Sequence, residues 1–224
     1  MSAAWLTLAA SILVAMTNWI SLERKLDWWD PVSKPAVILA LIISTAIGPI
    51  SPPLRRWMVI GLFFSLMGDI FLLGKERYFL AGLLSFLLAH AAYILAFNPT
   101  PPPTTIITLT LGLGTLTVSA WIFYRLLHAP GAPASRYLLI PLISYTLLIT
   151  GTWFSGLTIL LRPEWGRPSA LLLAAGTSLF YVSDAFLAWH RFISPLKKRG
   201  LKVRIPYHLA QICLVAASLL SGLP

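Results

Sequence analysis

GLFFSLMGDIFLLG, residues 61–74, is an apolar run of the kind that crosses a membrane as a helix, and it carries Asp69 in its second half. A second run, GTSLFYVSDAFLAWH at residues 176–190, carries Asp184 in the same way. Both read small–Asp–x–Phe–Leu: Gly68, Asp69, Phe71 and Leu72 in the first, Ser183, Asp184, Phe186 and Leu187 in the second. The chain has 7 acidic residues, and these are the two that lie within apolar segments. A carboxylate in hydrocarbon costs about 2.5–3.5 kcal/mol on insertion scales, so an acid held there marks a functional site. Two of them suggest a pair that works together.

The composition agrees with a membrane setting. The 224 residues are 58% hydrophobic and 11% charged, with a mean hydropathy of +0.81, whereas soluble domains carry about 25% charged residues. The expected fold is all-α: one polytopic membrane bundle over residues 1–224. The net charge of +10 does not point to nucleic acid, because the basic residues fall in short loops between apolar runs. That placement is a topology signal and attracts anionic headgroups. The single Cys213 excludes an intrachain disulfide and a CxxC metal site. The apolar N-terminus has no basic residues before its first run and reads as a retained span rather than a signal peptide.

A span needs roughly 20 apolar residues. Eight candidates follow, at about 3–22, 35–51, 56–74, 78–97, 104–126, 137–161, 168–190 and 205–222. Prolines mark many boundaries, among them Pro31, Pro35, Pro52, Pro53, Pro130, Pro133, Pro168 and Pro206, while Pro141 falls inside the sixth span. Eight spans put both termini on one side. All the basic residues except Arg55, Arg56, Arg162 and Arg167 then fall on the other side. The positive-inside rule makes that side cytoplasmic and the termini non-cytoplasmic. Asp69 lies six residues before Lys75 and Asp184 seven before Arg191, roughly 9–10 Å along each helix axis. Both acids are therefore expected at one depth, on two parallel spans. The repeated motif four spans apart hints at a duplicated four-helix unit.

Other polar residues fall at similar depth. Lys34, followed by Pro35, opens the expected second span; Tyr207 and Gln211 open the eighth on one face; Tyr145 lies about two turns into the sixth; His90 and Tyr93 share a face of the fourth, deeper. Each has a plainer reading. Lys34 reads also as a snorkelling anchor, His90 and Gln211 as interhelical hydrogen-bonding groups, the tyrosines as packing or interfacial residues, and the aspartates as structurally paired. His128, His190 and His208 are expected at the periphery, and Arg191 to Arg204 as a basic loop. No HExxH, clustered Cys/His set, GxSxG or P-loop occurs, so neither a metal nor a nucleotide is expected.

Taken in order, Lys34-Pro35, GLFFSLMGDIFLL, GLLSFLLAHAAYILAF (82–97), IPLISY (140–145), FYVSDAFLA (180–188) and IPYHLAQICLVAAS (205–218) resemble the YhhN family, which contains the bacterial and animal lysoplasmalogenases. The resemblance covers roughly residues 34 to 218. It implies an eight-span enzyme, expected in a bacterial cell membrane, that hydrolyses the vinyl ether bond of lysoplasmalogens without a cofactor. The products would be a fatty aldehyde and glycerophospho-ethanolamine or -choline. It further implies Asp69 and Asp184 as catalytic acids, with Lys34, His90, Tyr93, Tyr145, Tyr207 and Gln211 lining the substrate pocket.

That chemistry suits two buried acids. Protonating the vinyl ether carbon leaves an oxocarbenium ion, to which water adds. A proton donor and an anionic partner are needed, as in glycosidases. Two carboxyls in a low-dielectric pocket cannot both ionise cheaply. The rival expectation is a proton- or ion-coupled transporter using the same aspartates; a lipid-binding scaffold is a third.

Overall fold

The computed structural model describes residues 2–26, 28–129 and 136–222. Eight long helices follow one another: α1 Ala3–Glu23, α2 Asp30–Ile47, α3 Pro52–Leu73, α4 Phe79–Phe97, α5 Ile106–Leu127, α6 Arg136–Thr158, α7 Arg167–Ala188 and α8 Arg199–Ser221. Each of the eight contains or overlaps a segment long and apolar enough to cross a membrane, and no strand occurs among the described residues. Helices keep every backbone hydrogen bond within the segment, which hydrocarbon requires. The chain is an integral multi-pass membrane protein. The boundaries expected at Pro130 and Pro133 lie outside the described residues.

Helix α3 begins at Pro52 rather than near 56, with its two prolines in the first turn; α2 and α8 also begin earlier than expected, for one shared reason. Helix α2 opens at Asp30 rather than near residue 35, and Pro35 lies inside it. Pro31 occupies the first turn, where its missing N–H is no loss. Helix α8 opens at Arg199 rather than near 205, with Pro206 inside. The two extra stretches lean on each other: Arg204 pairs with Asp30. Asn18 on α1 donates to Asp30 at 3.0 Å and to Ser33 at 2.8 Å. Polar pairing between helices therefore carries α2 and α8 past the apolar limits that a hydropathy reading sees.

Helix pairing repeats with a shift of four. The tightest pairs are α3 with α4 and α7 with α8; α2 packs on α3 as α6 packs on α7, and α4 touches α6 as α8 touches α2. Close approach of α3 and α4 depends on Gly61 and Gly68, two turns apart on one face. A Cβ at Gly61 would overlap the Tyr93 ring, and one at Gly68 the Phe86 ring. Phe180 of α7 fills the centre. Its ring centroid lies 4.6 Å from His90, 5.5 Å from Tyr207, 6.2 Å from Tyr93 and 6.5 Å from Phe86. Helix α5 stands at the edge, packed mainly on α6 and exposing Ile106, Leu109, Leu113 and Trp121.

Candidate functional site

Asp69, on the inward face of α3, is sealed at 1% exposure. Lys34 of α2 brings its ammonium to 2.9 Å from Oδ1, as an ion pair. Tyr207 of α8 donates its hydroxyl to Oδ2 at 2.9 Å. Lys34 is itself buried, so the snorkelling alternative is set aside: the extra turn of α2 draws the side chain inward, and Asp69 compensates its charge.

Asp184 of α7 is held differently. Tyr145 of α6 donates to Oδ2 through a short hydrogen bond, and His90 of α4 sets Nε2 3.3 Å from the same oxygen. No hydrogen bond reaches Oδ1 among the described residues, and that atom is not sealed. Behind His90, its Nδ1 lies 3.2 Å from Thr152 Oγ1 on α6. The shift of four helices reappears here. Each aspartate is held by the helix before it (α2 or α6) and by the last helix of the opposite half (α8 or α4).

Tyr93 and Gln211 meet each other instead of the aspartates. Tyr93 donates to Gln211 Oε1 at 2.8 Å, Gln211 donates to Ser65 at 2.9 Å, and Ser65 lies 3.3 Å from the Tyr93 hydroxyl. All three are buried and close a triangle beneath the Asp69 group. Full mutual satisfaction makes this triangle a rigid floor.

Both aspartates line one cavity of about 340 Å³, together with Asp30, Lys34, Arg199, Arg204 and Tyr207. Two smaller spaces share wall residues with it. An apolar slot of about 40 Å³ runs from Asp184 between Leu83, Phe86, Leu142, Leu187 and Phe192. A recess of about 150 Å³ is bordered by Lys75, Glu76, His190, Arg191 and Arg199, with Arg191 paired to Glu76 and Lys75 and Arg199 in excess. Leu72 and Leu187 border all three spaces. The site thus has a cationic mouth, an acid centre and an apolar side chamber, a division that fits an amphiphile.

Several placements differ from expectation. Of the basic loop expected over Arg191 to Arg204, only Ser194 to Lys198 lies outside helix, so Arg204 is not in a loop. It is helical and paired with Asp30 at the cavity wall, three residues before Tyr207 and so on its face. His208 is fully buried rather than peripheral; its Nδ1 accepts the Trp19 indole N–H at 3.1 Å, because the early start of α8 puts this residue inside the bundle. Asp30, Arg204 and Thr152 escaped the sequence reading. The i, i+3 spacing of Arg204 and Tyr207 was a usable signal; nothing near Thr152 distinguishes it from other helical threonines. Among the described residues no group of three His, Cys, Asp or Glu side chains forms a metal cluster.

No solved structure matches the chain. Curated relatives do. Lysoplasmalogenase TMEM86B of Mus musculus is 27% identical over 85% of this chain and 80% of its own length. Lysoplasmalogenase TMEM86A of Homo sapiens is 28% identical over 85% and 81% respectively, and lysoplasmalogenase TMEM86A of Bos taurus 26% over 88% and 84%. The YhhN family matches residues 29–218, a stretch that runs from the Asp30 turn of α2 to the last turns of α8 and contains every side chain of both aspartate clusters; the chain is a member of the YhhN family.

Proposed function

We propose that this protein hydrolyses the vinyl ether bond of a lysoplasmalogen, releasing a fatty aldehyde and a glycerophospho-alcohol. The observation that carries the reading is that two intramembrane aspartates with different partners border one amphiphile-shaped cavity. The names of the relatives give the substrate class.

The two aspartates take different roles. Both oxygens of Asp69 are engaged, one by the Lys34 ammonium and one by Tyr207. Asp69 is the fixed anion whose field stabilises the oxocarbenium ion. Asp184 has Oδ2 anchored and Oδ1 open to the cavity. It is the proton donor. Oδ1–H protonates the alkene carbon β to the ether oxygen, and the adjoining carbon becomes an oxocarbenium ion. Water adds to that carbon and gives a proton back to Asp184. The resulting hemiacetal collapses as its hydroxyl proton passes to the departing glycerol oxygen. One water is consumed and Asp184 regains its starting state. The vinyl end of the alkenyl chain faces the slot between Phe86 and Phe192, and the phosphate faces Arg199 at the mouth. The mouth faces the cytoplasm by the positive-inside rule. We take the membrane to be a bacterial cell membrane.

The transporter alternative has less support. Beyond His90 and Tyr93 the bundle is filled by Phe97, Phe180 and Leu173, all sealed. The cavity at the opposite end, around Trp57 and Trp165, shares no wall residue with the aspartate cavity.

The test is purified protein with lysoplasmenyl-ethanolamine in detergent, monitoring aldehyde, with Asp69→Asn and Asp184→Asn as controls. Aldehyde release lost in both variants is expected. No aldehyde from wild type, or substrate flux across liposomes without turnover, overturns the reading.

A further inference from the structure

Thr152 lies in a position that determines which nitrogen of His90 carries a proton. It is sealed, at 1% exposure, between α6 and α4. Its hydroxyl has one proton to give. Three groups surround Oγ1: the Leu148 carbonyl at 3.0 Å, the His90 carbonyl at 3.3 Å and His90 Nδ1 at 3.2 Å. The two carbonyls accept only. A helical threonine sends its proton to the carbonyl four residues back, here that of Leu148, which is also the nearest of the three. Oγ1 then offers only lone pairs to the imidazole, so Nδ1 carries the hydrogen and donates it.

The consequence lies on the other side of the ring. A neutral imidazole protonated at Nδ1 presents a lone pair at Nε2. That lone pair stands 3.3 Å from Asp184 Oδ2. Tyr145 already donates to the same oxygen. A lone pair against an ionised carboxylate repels, so this contact is a hydrogen bond only when a proton lies between the two groups. The groups facing the imidazole are Asp184 from α7, Tyr145 and Thr152 from α6, and the Phe180 ring, which carries no charge.

We propose that Thr152 is a positioning residue for proton transfer: by accepting from His90 Nδ1 it turns Nε2 toward Asp184 as a lone pair, which disfavours the ionised carboxylate and keeps Asp184 in its protonated, proton-donating form. This rests on the reading of Asp184 as the proton donor. When the proton leaves for the alkene carbon, the carboxylate is left facing a lone pair. That arrangement favours recovery of a proton from the attacking water and closes the cycle. With the opposite tautomer, Nε2–H would donate to the carboxylate and stabilise the spent state.

The test combines a spectroscopic and a kinetic measurement on the full chain in detergent. Nitrogen-15 spectra of histidine-labelled protein, with His90→Asn to assign the signal, report which ring nitrogen bears hydrogen. Wild type and Thr152→Ser are expected to show Nδ1 protonated; Thr152→Val, which keeps the shape and removes the acceptor, is expected to move the proton to Nε2. Partners that orient a metal-bound imidazole are typically worth about 10–100-fold in activity, and on that scale Thr152→Val is expected to lose about tenfold or more in kcat with KM unchanged. Thr152→Ser is expected to restore turnover. An unchanged tautomer in Thr152→Val overturns the proposal, as does failure of Thr152→Ser to rescue. The spectra need no turnover. A wild-type protein that releases no aldehyde yet shows the Nδ1 tautomer, lost in Thr152→Val, would remove the hydrolase reading and leave the tautomer assignment standing.

Discussion

Lys34 on α2 and Tyr145 on α6 hold equivalent stations: each engages the aspartate of the following helix, and one is a cation whereas the other is a neutral phenol. Two halves of similar architecture thereby present two carboxyls in unlike settings. Divided roles for paired carboxyls begin from such a difference in surroundings. The repeated D-x-F-L motif follows the shift of four helices, and the partners, not the motif, break the equivalence.

The Lys34–Asp69 pair is sealed on both sides. Removing one member of a buried pair leaves an uncompensated charge, typically about 3–5 kcal/mol of destabilisation. Lys34→Met alone is expected to lower thermal stability in detergent by an amount of that order. Lys34→Met with Asp69→Asn is expected to recover most of it while remaining inactive. A double variant as unstable as the single would contradict the pairing.

Tyr145→Phe removes the hydrogen bond to Asp184 while nearly conserving packing volume. Aldehyde release is expected to fall by about 10–100-fold, since the carboxylate left as the proton departs is charged and hydrogen bonds to charged groups contribute about 1.5–3 kcal/mol. Thermal stability should move little. The matching change on the other half, Tyr207→Phe, should act on the Asp69 anion and leave the His90 spectrum unaltered.

Gly68 marks the closest approach of α3 to α4 near the site. A methyl there meets the Phe86 ring, and overpacking of this kind typically costs about 1–3 kcal/mol. Gly68→Ala is expected to lower the unfolding temperature and turnover together, because Asp69 is the next residue. Gly68→Ala with Phe86→Leu should regain stability. No recovery in the double variant would mean that the contact is not the cause.

Arg199 borders both the cavity and the outer recess and has no ion-pair partner among the described residues. Arg199→Gln is expected to raise KM for a phosphate-bearing lysolipid by about twofold to fivefold, the scale of an exposed ion pair, with kcat retained. The difference should shrink as salt rises, since exposed charges are screened. A KM that ignores both the substitution and salt would remove Arg199 from headgroup contact.

The sequence by itself determined the solvent, the number of helices and the two acids. Long apolar runs leave hydrocarbon as the only place to bury them, and hydrocarbon allows only closed hydrogen bonding, so eight helices follow from hydropathy alone. Asp69 and Asp184 stood out because a carboxylate in such a run is costly. Which pocket residue partners which acid was beyond its reach, since the partners come from helices far apart in the chain: Lys34 with Asp69, Tyr207 with Asp69, His90 with Asp184. The polar pairs that extend α2 and α8, Asp30 with Arg204 above all, contradict a boundary drawn by hydropathy, because a charge that finds its opposite within the bundle no longer ends a helix there. Only the tertiary structure put Tyr93 and Gln211 in a closed triangle beneath the site and Thr152 behind His90. Which oxygen is anchored and which is open is a matter of approach angles between packed helices. No one-dimensional pattern encodes those angles.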